Sequence, residues 1–263
     1  MNFGITYGIC LGMGYDNHIV QRLIDSIDAQ DHKDQFYEIL IIGSYRNDLI
    51  LTNHTRIIPF DETIRKGWIT KKKNILAKEA SYHILCVVHD YYLFNEGWFD
   101  GLVKYNQQNP DWNVLMNKVY RFEGDRHSDW LVNQKYMDQL LQRHPETAQQ
   151  LISVAPKEEN GPRWVCGLPY DVQDLPHIQY ISGGYILVKT DVLITFPFDE
   201  RLCWGQGAED ILWSETLIEN GVRFNFNPYN SVSVQKPKKW LLYQMPDTCV
   251  DFLRGMFINE PIQ

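Results

Sequence analysis

Three groups of residues carry types and spacing that can do chemistry: Asp90, the adjacent pair Glu209-Asp210, and the run Lys71-Lys72-Lys73 with Asn74. A carboxylate at the end of a strand can hold a divalent cation that neutralises a diphosphate, because hard cations take oxygen ligands and bridge phosphate oxygens. Asp90 sits in His89-Asp90-Tyr91, directly after the apolar run Ile84 to Val88, and it is the single acid there. Two neighbouring carboxylates opening a helix after two glycines and a tryptophan can supply a general base and a ligand for an acceptor hydroxyl. Ammonium groups beside a helix N-terminus make an anion site able to meet a diphosphate. Each group has a plain counterpart: a turn-forming Asp, acids favoured by the helix dipole, a solvated lysine face. His89 can serve as a ligand or base, but a lone histidine near a strand end more often has a structural role.

The elements that must position these groups follow from the pattern. Short apolar runs alternating with helical periodicity over the first ninety residues predict βαβ units and a mostly parallel sheet. Strands are expected at Phe3 to Leu11, Glu38 to Ile42, Arg56 to Pro59 and Ile84 to Val88. Asp16 is expected to cap a helix whose apolar stripe is Ile19, Val20, Leu23, Ile24 and Ile27, and Thr70 to cap a second helix reaching Ala80. In open α/β sheets ligands bind outside the carboxyl ends of the strands, which singles out Asp90 by position. Residues 120–180 interrupt the alternation and read as an insertion containing a helix between Leu131 and Leu151. Order resumes at Gly183-Gly184 with an apolar strand from Tyr185 to Val188. A helix from Glu209 to Asn220, stopped by Gly221, and a strand from Val222 to Phe226 follow.

Composition bounds the rest. The 263 residues can bury a sizeable core, and 44% hydrophobic with 22% charged residues is the balance of a folded domain. A net charge of -8 argues against a broad grip on nucleic acid. Five widely spaced cysteines with no CxxC pair suggest neither a disulfide framework nor a zinc module, so a cytoplasmic setting is expected. No stretch approaches the length of a membrane span or an export signal. Peripheral membrane contact is an added expectation, from Lys236, Lys238 and Lys239 beside Trp240, Leu241, Leu242 and Tyr243.

Taken in order, these segments resemble the A-type fold (GT-A) glycosyltransferases, in particular the family 2-like group and the galactosyl- and polypeptide N-acetylgalactosaminyltransferase families. The resemblance covers about residues 3–100 and 181–230. Its more specific half is Gly183-Gly184, the apolar strand, Phe198-Asp199-Glu200, then Trp204-Gly205 and Glu209-Asp210, similar to the GG, F-D-E and W-G-x-E-D series. The sequence departs from those families in carrying one acid at His89-Asp90-Tyr91, in the longer spacing between Trp204 and Glu209, and in having no histidine after His177.

The resemblance implies a single α/β Rossmann-like domain, with a mostly parallel central sheet flanked by helices. In it, residues 1–100 form the nucleotide-sugar-binding half, 120–180 an insertion, 181–230 the acceptor and catalytic half, and 231–263 a C-terminal extension. It implies transfer of a sugar from a nucleotide-diphosphate sugar to the hydroxyl of a glycan or lipid-linked saccharide, with inversion, as in polysaccharide biosynthesis. Asp210 would be the base, with Glu209 as second choice, and Asp90 would hold Mn²⁺ or Mg²⁺. Thr6, Tyr7, Gly8, Ser44, Arg46, Asn47, Lys73, Asn74, His89 and Asp90 would line the donor site, and Gly183, Gly184 and Trp204 the acceptor side. Two alternatives stand beside this reading. One is a nucleotide- or carbohydrate-binding module without turnover. The other is a sugar nucleotidyltransferase, weakened because Gly8 to Gly14 offers glycines but no lysine or arginine.

Overall fold

The computed structural model describes residues 3–32, 35–122, 124, 142, 145, 181–203 and 209–235, with the backbone of 131–132, 165–166 and 179–180. The first half of the chain runs β1 (Gly4–Cys10), α1 (Asn17–Asp28), β2 (Phe36–Gly43), β3 (Thr55–Pro59), α2 (Ile69–Glu79), β4 (Ile84–His89), β5 (Tyr92–Phe94), α3 (Trp98–Gln108) and β6 (Val114–Tyr120). Short strands β7 (Leu131–Val132), β8 (Val165–Cys166) and β9 (Gln179–Tyr180) come next. The last elements are β10 (Tyr185–Lys189), α4 (Thr190–Thr195), α5 (Glu209–Glu219) and β11 (Phe224–Val234).

Among the described residues, eight strands form one sheet in the order β3-β2-β1-β4-β10-β6-β11-β5. β3, β2, β1 and β4 are mutually parallel, β6 and β11 share their direction, and β10 and β5 run against them. The mostly parallel α/β sheet expected from the sequence is therefore the one observed. The short strands make a separate antiparallel sheet, β8-β7-β9.

Alternation along the central strands divides the core between two faces. Ile84, Cys86 and Val88 of β4 pack with α1 and α3, while Leu85 and Val87 pack with α2 and the elements after β10. A strand covered on both faces must be apolar throughout, which is why β4 reads as a continuous hydrophobic run. Asp16 caps α1 as expected, its side chain accepting from the backbone N–H of His18 and Ile19 at 3.0 and 3.4 Å. Val20, Leu23, Ile24 and Ile27 are buried beneath it.

Several expectations are corrected. α2 starts at Ile69 with no side-chain cap, and the Thr70 hydroxyl instead donates to the Leu202 carbonyl at 2.7 Å. The expected helix between Leu131 and Leu151 begins in strand β7; residues 142 and 145 are helical, and the remainder lies outside the described residues. The last strand begins two residues later than expected and continues to Val234 through an irregularity between Asn227 and Ser231.

Candidate active site

Strand register brings the chemistry to one edge. Cys10 of β1 lies beside Ile42 of β2 and His89 of β4, so the loops after all three strands open side by side. β10 runs the other way, and the register of Tyr185 with Val88 puts Gly183-Gly184 at that same edge; the His89 N–H donates to the Gly184 carbonyl at 3.0 Å. Four segments distant in sequence thus meet where ligands bind in sheets of this kind.

Asp90 is half-buried there, and its Oδ2 accepts the backbone N–H of Gly12 at 3.0 Å. Opposite, Asp210 lies in the first turn of α5. Its Oδ2 accepts the Gly183 N–H at 2.8 Å, and its Oδ1 the Ile211 N–H at 3.0 Å. Both glycines lie close against side chains of the site. A Cβ on Gly183 would stand 2.9 Å from Glu209 Oε1 and 3.1 Å from Asp210 Oδ2, and one on Gly184 would stand 2.8 Å from the Tyr91 hydroxyl. The phenol of Tyr91 is held well above its ordinary pKa, first by burial and further by the charges of Asp90 and Glu209. It therefore lies within the electrostatic reach of both acidic groups.

Burial pushes the Asp210 carboxyl up to about 6; the neighbouring Glu209 charge adds to the rise and Lys73 opposes it. Near neutral pH such a group is ionised yet retains affinity for a proton, which suits a general base. Glu209 is engaged differently, its Oε1 accepting from Lys73 Nζ at 3.1 Å.

The lysine run, expected as an anion site or else a solvated helix face, is largely withdrawn from solvent: Lys72 and Lys73 are buried and Lys71 is half-exposed. Lys73 lies over the Phe198 ring at 4.6 Å as well as pairing with Glu209. The Asn74 amide donates to the Phe198 carbonyl at 2.9 Å and to Glu200 Oε1 at 3.1 Å, and accepts the Phe198 N–H at 2.9 Å. Trp68 Nε1 donates to the Glu200 carbonyl at 2.7 Å. Helix α2 therefore fastens the Phe198-Asp199-Glu200 segment that leads to α5. Lys73 and Asn74, expected in the donor pocket, face this junction.

The expected base- and ribose-contacting residues divide. Thr6, Tyr7 and Gly8 lie inside β1, which runs on to Cys10. The Thr6 hydroxyl donates to Glu38 at 2.7 Å, the buried Tyr7 hydroxyl meets His32 Nε2 at 3.1 Å, and Gly8 faces Leu76. All three, expected to line the donor site, are thus taken up inside the strand and its packing, and Leu11 and Gly12 are the residues that follow its end. Ser44, Arg46 and Asn47 do stand at the site edge, after β2. The Arg46 guanidinium covers the Tyr15 ring at 4.1 Å and pairs with Asp48 at 3.0 Å. Asn47 takes the left-handed conformation, φ 61°, which asparagine tolerates better than most residues. His89 Nδ1 lies 3.3 Å from the Tyr91 hydroxyl. Trp204 lies outside the described residues, as do the cationic and aromatic residues 236–243 expected at a membrane surface.

Among the described residues, no three His, Cys, Asp or Glu side chains converge as a metal cage. Asp90 still fits a cation that arrives with its substrate, since Mg²⁺ commonly takes one or two carboxylates and completes its shell with phosphate oxygens and water. Sequence reasoning passed over Gly12, Glu62 and Tyr91, and read Lys72 only as part of an anion site. Strand-end position was the sole signal for Gly12, and nothing local marked the others.

The described elements make a mixed α/β fold of the glycosyltransferase-like kind. No family model matches the sequence, and no curated protein does. Among solved structures it is similar to S. aureus TarS: TM-score 0.52 at 15% identity, over 89% of this chain and 37% of the TarS chain. Against TarS 1–349 the TM-score is 0.51 at 15% identity, over 88% of this chain and 60% of the other. The chain thus spans about a third to three-fifths of the structures it resembles. Among the described residues, no helix is long and apolar enough to cross a membrane.

Proposed function

We propose that the protein is a glycosyltransferase that moves a sugar from a nucleotide-diphosphate sugar onto an acceptor hydroxyl of a glycan or lipid-linked saccharide. The observation that carries the reading is the Asp210 carboxylate, pushed up to about 6 and aimed at the sheet edge by the Gly183 N–H, at the edge that also carries Asp90. Asp210 takes the proton of the acceptor hydroxyl as its oxygen bonds to the anomeric carbon. The bond from that carbon to the diphosphate oxygen breaks, its electron pair leaving with the diphosphate. Attack opposite the leaving group inverts the anomeric centre. Glu209 is already engaged by Lys73 Nζ at 3.1 Å, which favours Asp210 as the base.

The donor lies across the loops after β1, β2 and β4, with Ser44, Arg46 and Asn47 on the nucleotide side and His89 and Asp90 at the diphosphate. Gly183 and Gly184 border the acceptor side, to which Trp204 is assigned from the sequence alone. A divalent cation, Mn²⁺ or Mg²⁺, would be held by Asp90 together with the donor's phosphate oxygens, where it supplies positive charge to the departing diphosphate.

The test is release of nucleoside diphosphate from UDP-glucose, UDP-N-acetylglucosamine, GDP-mannose and related donors, with Mn²⁺ and a panel of saccharide acceptors. Wild type should turn over at least one donor, and Asp210→Asn should lose roughly a hundredfold or more, the scale of a removed general base. Binding of donors without turnover under every condition would replace the transferase with a binding module, and no binding to any nucleotide would remove the donor site altogether.

A further inference from the structure

A buried ion pair stands directly behind the proposed donor edge. Lys72 and Glu62 have side chains 3% and 2% exposed and are in contact through Nζ and Oε1. Neither can reach a ligand in solvent. Lys72 Nζ also donates to the Leu11 carbonyl at 2.7 Å. That carbonyl passes against the bare Cα of Gly43, where a Cβ would come within 2.6 Å of it, and the Leu11 N–H donates to Ile42 at 2.8 Å. The next residue, Gly12, gives its N–H to Asp90. Lys72, Lys73, Asp90 and Glu62 all act electrostatically on the buried Cys10 thiol, which places these charges around the end of β1.

We infer that Glu62 and Lys72 form a strut that fixes the turn after β1, and through the Gly12 amide positions Asp90 for the donor diphosphate. An ion pair withdrawn from water is costly and does little for stability that apolar packing would not do as well. Its distinctive effect here is geometric: a cation held by Glu62 gives the Leu11 carbonyl a fixed donor, so the peptide between Leu11 and Gly12 has one orientation. Glu62 and Lys72 are positioning residues, acting through Asp90. The catalytic consequence rests on reading Asp90 as the donor-side carboxylate; the effect on the Gly12 amide does not.

The experiment compares wild type, Lys72→Met, and the double variant Lys72→Met with Glu62→Leu. The double variant removes both charges at similar volume, so it stays folded if the single variant does not. Hydrogen exchange at the Gly12 amide is read against the core amides of Ile84 to Val88. The expected result is exchange at Gly12 faster by about tenfold or more while the core amides are unchanged, as for a local hydrogen bond loosened without global unfolding. On the donor turned over by wild type, kcat/KM falls by about tenfold or more, with the melting transition retained. Gly12 exchange within about twofold of wild type in a folded double variant overturns the strut. If wild type turns over no donor, the transferase reading fails while the Gly12 measurement still decides the strut.

Discussion

Asp210→Asn should make the protein more stable above pH 6 and less stable near pH 4, a change of sign that follows from one proton. The folded carboxyl titrates at about 6 against an ordinary 3.8, raised mainly by burial. Between those values the folded state holds a proton that the unfolded state has lost, so wild-type stability is fullest below pH 4 and falls as pH rises to about 6. Two pH units at about 1.4 kcal/mol each set the loss at roughly 3 kcal/mol, an upper bound because Asp210 keeps partial solvent contact. An asparagine does not titrate and escapes that loss. It cannot reproduce both acceptor bonds, to the N–H groups of Gly183 and Ile211, and one lost bond costs about 1 kcal/mol. The variant should therefore be about 1 kcal/mol less stable at pH 4 and about 1–2 kcal/mol more stable at pH 7.5, the latter worth several degrees in Tm for a chain of this size. Urea titrations of both proteins at half-unit steps from pH 4 to 8 measure this. Stability curves that stay parallel across the range would refute the assignment of a buried, proton-retaining carboxylate at 210.

Two further outcomes follow from the same edge. The acid limb of kcat/KM should lie near pH 6, move down in Glu209→Gln, which removes the like charge that raises Asp210, and move up in Lys73→Met, which removes the opposing one; pH–rate profiles of the three proteins check the two directions. Gly184→Ala places a methyl 2.8 Å from the Tyr91 hydroxyl and 2.9 Å from that of Tyr92; overpacking of this kind costs about 1–3 kcal/mol, read by urea denaturation, and near-neutral stability would mean that both phenols can withdraw.

What could be read in the sequence, and what could not, separates by the range of the interaction. Continuous apolar runs marked β1, β2 and β4, and Asp16 with its helical stripe marked α1, because those signals are carried by neighbours in the chain. Asp90 was legible as a strand-end carboxylate, and the pair Glu209-Asp210 as the start of α5. α3 gave no polar start signal, since its cap is Gly97 in the left-handed conformation. β6 carries Asn117 in its interior, buried by partners as distant as Tyr185 and Asn230, so its run does not read as apolar. The end of β1 was legible to within a residue, but the assignment of Thr6, Tyr7 and Gly8 to the donor site was not consistent with it, because all three lie inside the strand.

The lysine run shows the same limit with a consequence for mechanism. Three consecutive lysines on a helix point in different directions, and each has a different fate: Lys71 toward Trp68 and Glu200, Lys72 to Glu62 and the Leu11 carbonyl, Lys73 to Glu209 over Phe198. A run that reads as one anion site thus becomes three separate links from α2 to its surroundings. Two of them bear on the proposed chemistry from opposite sides, Lys72 behind Asp90 and Lys73 beside Asp210. Since α2 also holds Phe198 through Asn74, a shift of this helix would, on the proposed reading, disturb the Asp90 and Asp210 sides together. The helix expected to offer its charges to a diphosphate instead commits Lys72 to Glu62 and the Leu11 carbonyl and Lys73 to Glu209, so on the proposed reading the negative charge of a donor is met by other groups at the open edge.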